Sequence, residues 1–460
     1  MTARRRRACV VAALTVLTLT YEALIGPSFA HAERPLIDPV QLPPPSPPAP
    51  LEPTEQKNAC AVPSETIDAQ EIPTAQQALD FASVWPITRG AGQLIAVIDT
   101  GVTPHPRLPG LIPGGDYVGT ADGLFDCDAH GTMVAGLIAA QTASGSGFAG
   151  GAPDARILSI RQSSNVFQVV DNRTDQEKST EPENAAGYGN VRTMAMAIRT
   201  AADAGASVIN ISEVACVPAG AGVADGPLGA AVQYAVRERN VVVVAAAGNF
   251  GSDACRAQNP MPDPVRPEAD PWEGFATIAT PAWFDDVLTV GSVELDGSPS
   301  SFSLAGPWVD VAAPGSNMTS LSPAGNGLAN GIRGTNGVVP MTGTSFAAPL
   351  VAATAALVRA YRPDLSALQV IDRIERTAHA PADGWNPSVG HGVVDPLAAV
   401  TDVVTPTQRT VPADAVAIGA PLPPPAADHR PRDAAVAGSV VVAVILGLGT
   451  AVSIPLRRRL

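Results

Sequence analysis

Short apolar runs alternate with segments of helical periodicity through the middle of the chain. The apolar runs predict strands at residues 94–98, 156–160, 207–211 and 241–246. Strands that are apolar nearly throughout are typical of a parallel sheet covered on both faces. The segments between them predict helices at residues 130–141, 191–204 and 228–239. This order predicts a doubly wound α/β fold with a mostly parallel sheet, whose functional groups lie beyond the carboxyl ends of the strands.

Proline-rich stretches flank this folded region. Residues 39–53 contain the run Pro43-Pro-Pro-Ser-Pro-Pro-Ala-Pro50, and residues 406–431 contain a second cluster of prolines. Proline fixes φ and lacks a backbone N–H, so both stretches are expected to run as extended polyproline II. We therefore predict an N-terminal extension at residues 33–73, a folded domain at 74–403 and a stalk at 404–433.

Both ends of the chain have the pattern of membrane segments. Four arginines, an apolar stretch and the Ala30-His-Ala32 pattern predict a secretory signal at residues 1–32, with an uncleaved anchor as the alternative. Residues 434–456 carry no charge and are long enough to form a transmembrane helix. The arginines of the tail at residues 457–460 are expected to stay in the cytoplasm. The body is thus predicted to be exported and anchored in the cell membrane, facing the periplasmic side.

Cysteine and charge content narrow the function further. The formal net charge is −14 and both termini are basic, so the more acidic body is not expected to bind nucleic acid. No Cys-x-x-Cys spacing occurs, and we expect no metal and no cofactor. Cys9 leaves with the signal. Four cysteines remain for an oxidising compartment, with three possible pairings: Cys60, Cys127, Cys216 and Cys255.

The residues capable of catalysis fall at predicted strand and helix ends. Asp99 ends the strand at 94–98, His130 begins a helix, and Ser345 precedes a long apolar helix. A serine hydroxyl becomes a strong nucleophile when an imidazole takes its proton and a carboxylate orients that imidazole. Asn249 follows the strand at 241–246. Its amide, together with the Ser345 backbone N–H, is expected to stabilise an oxyanion.

Four sequence blocks around these residues resemble the signature blocks of subtilisin-like serine proteases. They are Asp-Thr-Gly at Asp99, His-Gly-Thr at His130, Gly-Asn at Asn249 and Gly-Thr-Ser-x-Ala-x-Pro at Ser345. The order Asp, His, Ser is also that family's. The signal, proline-rich extension, four cysteines, stalk and single membrane helix more specifically resemble the mycosins, membrane-anchored proteases associated with type VII secretion in actinobacteria.

This resemblance implies a peptidase domain that cuts a secreted protein with narrow specificity and acts with a type VII secretion membrane complex. The alternative is a scaffold that stabilises that complex, with proteolysis secondary. The resemblance also implies that Ser212 and Gly248 contribute to substrate binding. It favours two disulfides, Cys60–Cys127 and Cys216–Cys255, the first of which would hold the extension as a brace.

Acidic residues near these blocks leave a further question. Glu213 follows Ser212 where the wider family usually has Leu. It is expected to face solvent, because charges are rarely buried unpaired, and the alternative is that it biases the cleft toward a basic side chain. Asp126 and Asp128, just before His130, are expected to be solvated loop residues.

Overall fold

The computed structural model describes residues 34–405 except 68, 171–186, 222, 252–254, 264, 267–269 and 273. The predicted signal, transmembrane helix and cytoplasmic tail, and all but the first residues of the stalk, lie outside the described residues. Those predictions remain as stated.

The strands of the described part are β1 (Thr54–Gln56), β2 (Pro63–Thr66), β3 (Leu94–Asp99), β4 (Leu111–Asp116), β5 (Arg156–Arg161), β6 (Phe167–Val169), β7 (Val208–Ile211), β8 (Ala215–Pro218), β9 (Val242–Ala246), β10 (Thr277–Thr280), β11 (Val287–Val293), β12 (Val311–Pro314), β13 (Ser320–Leu321), β14 (Leu328–Gly334) and β15 (Gly337–Pro340). The α-helices are α1 (Thr74–Gln77), α2 (Phe81–Val84), α3 (His130–Ala139), α4 (Val191–Asp203), α5 (Gly226–Gln233), α6 (Thr344–Tyr361), α7 (Ala367–Thr377) and α8 (Pro396–Thr401).

A seven-stranded parallel sheet forms the centre of the domain. Its strand order is β12-β11-β9-β7-β3-β5-β4, and every paired register in it is parallel. The predicted parallel α/β fold is therefore confirmed. The helix predicted at 228–239 is divided, because α5 ends at Gln233 and a π-helical turn covers Tyr234–Glu238.

Two apolar helices, α3 and α6, pack against each other and fill the core beside the sheet. Helix α6 has 18 residues, and all of them from Thr344 to Val358 are buried. By length and composition α6 could cross a membrane, but 83% of it is buried inside the fold, as expected of a core helix. Its many alanines allow close contact with the sheet, so the first turn of α6, which carries Ser345, is closely packed.

The N-terminal extension lies along the domain as a strap. Strand β1 pairs with β6, and β2 pairs with β14, both antiparallel. Further along the strap, Pro48 lies against Gly115 and the Leu51 amide donates to the Tyr188 hydroxyl at 3.0 Å. The structure joins Cys60 to Cys127, and Cys216 to Cys255. The first bond fixes the strap to the loop that precedes His130.

Candidate active site

Three neighbouring strands end at the same edge of the sheet with polar residues. Asp99 ends β3, Ser212 and Glu213 follow β7, and Asn249 follows β9. The chain goes from β3 to the edge strand β4 and back to β5 on one side of β3, and then crosses to β7 on the other side. Such a switch point in a parallel sheet leaves a crevice at the carboxyl ends of the strands, where ligands bind.

His130 connects Asp99 to Ser345 in this crevice. Its Nδ1 lies 2.7 Å from Asp99 Oδ1, and its Nε2 lies 3.0 Å from Ser345 Oγ. Asp99 is fully buried, and its Oδ1 also accepts the backbone N–H of Thr100 at 2.8 Å. This arrangement keeps the proton of the neutral imidazole on Nδ1, so Nε2 is free to take the proton of the serine hydroxyl.

The charges around His130 favour its protonated form. Burial alone lowers its pKa, but the charge of Asp99 and the hydrogen bond to it outweigh burial and raise the pKa above its usual value. The charges of Glu213 and Asp126 raise the pKa further. An imidazolium formed when the serine gives up its proton is therefore stabilised where it forms.

The side-chain amide of Asn249, predicted to stabilise an oxyanion, lies beside Ser345. Asn249 Oδ1 accepts the backbone N–H and the hydroxyl of Thr344 at 2.9 and 3.0 Å, which leaves the Nδ2 amide to donate to a ligand. A Cβ atom at Gly343 would lie 3.1 Å from both Asn249 Nδ2 and Ser345 Oγ. Glycine at position 343 therefore keeps the space between these two groups open.

Ser212 and Gly248, the residues predicted to bind substrate, are buried behind the crevice. Ser212 Oγ donates to the backbone carbonyl of Ser345 at 2.8 Å. The Gly248 N–H donates to the Thr344 hydroxyl at 3.2 Å, and its carbonyl accepts the Leu304 N–H at 2.9 Å. The Ser212 hydroxyl and both backbone polar groups of Gly248 are thus used within the fold, where they hold the loops of the site in place.

Asp126 was expected to be solvated, and this expectation is wrong. It is buried, and its carboxylate accepts one hydrogen bond from Thr100 Oγ1 at 2.9 Å and two from Thr132. The Thr100 hydroxyl in turn accepts the Gly131 N–H at 2.9 Å. The network joins the turn after Asp99 to the first turn of α3. The local pattern did not indicate this role, because the burial of Asp126 depends on donors from the turn after β3 and from the first turn of α3.

Asp128 and Glu213 also depart from the expected exposure. Asp128 is half-buried and accepts hydrogen bonds from Ser164 Oγ and the Asn165 N–H at 2.5 and 2.7 Å. Glu213 lines a cleft of about 210 Å³, where its Oε1 lies 3.9 Å from His130 Nδ1. The expectation that Glu213 faces bulk solvent is therefore wrong. The signal that locates it is its position directly after β7, the neighbour of β3.

A set of possible metal ligands exists in the described part of the chain. Single ligand atoms of Asp99, His130 and Glu213 lie within 4.8 Å of one another. The 2.7 Å contact between Asp99 Oδ1 and His130 Nδ1 engages these two atoms with each other. The arrangement fits proton transfer better than metal ligation.

Comparison with known proteins places this site in a family. Residues 90–392 match the family model described as the Subtilase family. The chain is 48% identical to Mycosin-4 of Mycobacterium tuberculosis, over 98% of this chain and 96% of that protein. It is 42% identical to Mycosin-1 of the same organism, over 98% of this chain and 99% of that protein.

A solved structure gives the same result. The crystal structure of MycP1 from the ESX-1 type VII secretion system superposes with a TM-score of 0.75 at 43% identity, and the match covers 82% of this chain and 98% of that chain. The folds thus agree over nearly the whole of the solved chain. The protein belongs to the mycosins, a group of subtilisin-like serine peptidases.

Proposed function

We propose that Ser345 is the nucleophile of an endopeptidase, with His130 as general base, Asp99 as its orienting carboxylate and Asn249 as an oxyanion donor. The continuous path from Asp99 Oδ1 through the imidazole to Ser345 Oγ, with contacts of 2.7 and 3.0 Å, carries this proposal. Ser345 Oγ attacks the scissile carbonyl carbon while His130 Nε2 takes its proton. The oxyanion accepts hydrogen bonds from Asn249 Nδ2 and the Ser345 backbone N–H.

The second half of the reaction returns the site to its starting state. The C–N bond breaks as His130 gives its proton to the leaving amine. A water molecule then gives a proton to His130 and attacks the acyl carbon, which releases Ser345 and the new carboxyl terminus. This scheme requires no cofactor and no metal.

The proposed substrate and cellular location rest on similarity to relatives and on the sequence of the two ends of the chain. The similarity to MycP1 of the ESX-1 system supports a place beside a type VII secretion membrane complex. There the enzyme would cut a secreted protein with narrow specificity. Residues 1–32 would direct export, residues 434–456 would anchor the chain in the cell membrane, and the peptidase domain at 74–403 would face the periplasmic side.

A scaffold function is the second candidate. The chain matches a component of the periplasmic assembly from the ESX-5 inner membrane complex with a TM-score of 0.76 and 45% identity, over 85% of this chain and 99% of that chain. A protein with this fold is therefore found as a structural part of such a complex. This observation supports a contribution to complex stability that does not depend on Ser345.

Labelling with a fluorophosphonate probe tests the chemistry. The purified protein is expected to be labelled, Ser345→Ala to be unlabelled, and Ser301→Ala, which removes an exposed hydroxyl, to be labelled like the parent. Labelling of the Ser345→Ala protein would contradict the proposed nucleophile. The Ser345→Ala protein is then expressed in a strain that lacks the gene. If this variant restores secretion, the scaffold function is sufficient for secretion.

A further inference from the structure

Glu213 is fixed next to the nucleophile. The preceding residue, Ser212, donates to the backbone carbonyl of Ser345 at 2.8 Å and accepts a hydrogen bond from Asn210 Nδ2 at 2.9 Å. The backbone that enters Glu213 is therefore attached to the start of α6. Its side chain points into the cleft rather than away from the domain, and it is 33% exposed.

The surroundings of the Glu213 carboxylate are poor in positive charge. His130, at 3.9 Å, is the one cationic partner within ion-pair distance among the described residues. That imidazole is already hydrogen-bonded to Asp99. Burial, together with the charges of Asp99 and Asp128, raises the pKa of Glu213, although His130 acts against this. A cation that enters the cleft would relieve this excess of negative charge.

The carboxylate is also within reach of a bound peptide. Glu213 Oε1 lies 3.9 Å from Nδ1 of the imidazole whose Nε2 lies 3.0 Å from Ser345 Oγ, so the carboxylate stands close to the place where a scissile bond would bind. Residues of an extended peptide follow one another at about 3.3 Å. The side chains nearest Glu213 thus belong to residues within two positions of the scissile bond. Beyond it the cleft is lined by uncharged groups such as Tyr188 and Asn190.

We propose that Glu213 is a specificity-determining residue that binds the lysine or arginine side chain of a substrate within two residues of the scissile bond. The inference rests on the proposed peptidase function. A cationic side chain forms a charge-assisted hydrogen bond with the carboxylate, whereas an acidic side chain meets Glu213, Asp128 and Asp99 with like charge.

Matched peptides test this proposal. Each set carries lysine, norleucine or glutamate at one position, and the sets cover the four positions before the scissile bond and the two after it. We expect roughly 10-fold higher kcat/KM for lysine than for norleucine at one position near the bond, about the effect of 1.4 kcal/mol. Glu213→Gln is expected to abolish this preference and Glu213→Lys to favour glutamate.

A matched control and a second measurement keep the test decisive. Glu238→Gln removes an exposed carboxylate that precedes β9, at the opposite edge of the sheet from the site, and is expected to keep the preference. For the unmodified protein the preference should shrink as the salt concentration rises from about 0.05 to 0.5 M, because added ions screen a partly exposed pair.

Three results would overturn the inference. The first is a parent enzyme that cleaves lysine and norleucine peptides equally, and the second is a preference that Glu213→Gln retains. The third is an equal loss of kcat/KM for all peptides in Glu213→Gln, which would mean that the carboxylate affects catalysis only through His130. Fluorophosphonate labelling separates the two proposals, since a labelled enzyme without discrimination contradicts only the specificity. An enzyme that neither cleaves nor is labelled contradicts the peptidase function and the inference together.

Discussion

Thr132 donates two hydrogen bonds to Asp126 Oδ2, from its backbone N–H at 2.8 Å and from its hydroxyl at 2.6 Å. Because Thr132 lies two residues after His130, these bonds fix the first turn of the helix that carries the imidazole. Asp126 is a positioning residue, since it acts through the turns that hold His130 and Asp99.

Replacing Asp126 by Ala is expected to lower kcat by about 100-fold with a small change in KM, because small displacements of catalytic groups slow the reaction strongly. Asp126→Asn keeps one oxygen that can accept both bonds from Thr132, with its NH2 group toward the Thr100 hydroxyl, and should retain most of the activity. Steady-state kinetics with one peptide measures both. Asp122→Asn, at an exposed site in the same loop region, serves as control and should leave kcat unchanged. Equal losses for Ala and Asn would contradict a positioning role.

The same carboxyl group makes stability depend on pH. Burial is the largest influence and raises the pKa of Asp126 to about 7, although hydrogen bonds from Thr132 and Thr100 oppose it. The folded protein thus holds this proton more tightly than the unfolded chain. Its stabilising contribution is complete below the unfolded value near 3.8 and is lost as pH rises toward 7. Each tenfold difference in proton affinity between the two states corresponds to about 1.4 kcal/mol.

Asp126→Asn lacks this titration. The stability of the variant relative to the parent is therefore expected to increase between pH 5 and pH 8. Urea denaturation followed at both pH values gives the difference in the free energy of unfolding. A relative stability that decreases over this range would show that the folded state prefers the ionised carboxylate.

The oxyanion site gives a third prediction. Gly343→Ala places a methyl group 3.1 Å from both Asn249 Nδ2 and Ser345 Oγ, where a substrate oxygen must bind. We expect kcat/KM to fall by about 100- to 1000-fold, as for loss of one oxyanion donor, a magnitude measured in subtilisin. Asn249→Ala should lose a similar amount. Gly327→Ala meets open space and is the control. Full activity of Gly343→Ala would place the oxyanion elsewhere.

The strap gives a fourth prediction. Removing residues 33–60 deletes β1 and the bond between Cys60 and Cys127, so the melting temperature should fall. A disulfide of this loop size typically contributes ~2–4 kcal/mol. Peptidase activity should not rise strongly, because the strap pairs with strands of the domain through β1 and β2 and is expected to brace the fold rather than to inhibit the enzyme. Cys60→Ser combined with Cys127→Ser isolates the crosslink. Unchanged stability with a many-fold gain in activity would identify an inhibitory segment instead.

The apolar pattern of the sequence was sufficient to predict the main strands and helices of the domain. The strand that ends at Asp99 and the helix that begins at His130 lie where their apolar patterns predict them. The burial of Asp126 was missed because it depends on donors at Thr100 and Thr132 that only the folded chain brings together. The cleft position of Glu213 was only the alternative to facing solvent, because no local pattern states that β7 lies beside β3.

The substrate-binding residues show the same limit. A sequence block marks Gly248 as part of the site, but it does not indicate which groups face the ligand. In the fold, both backbone polar groups of Gly248 bond internally, to Thr344 and Leu304. Short polar segments were equally hard to assign, since β1 and β2 acquire their partners from distant parts of the chain.

The pairing of β2 with β14 has a consequence for how the domain folds. Thr66 lies opposite Leu328, and Pro63 lies opposite Ile332, so a strand of the N-terminal extension pairs with a strand in the last quarter of the domain's sequence. Contacts between segments so far apart form slowly, because a long loop must close before they are made. Strand β2 can therefore reach its final place only once the chain as far as β14 is present to pair with it.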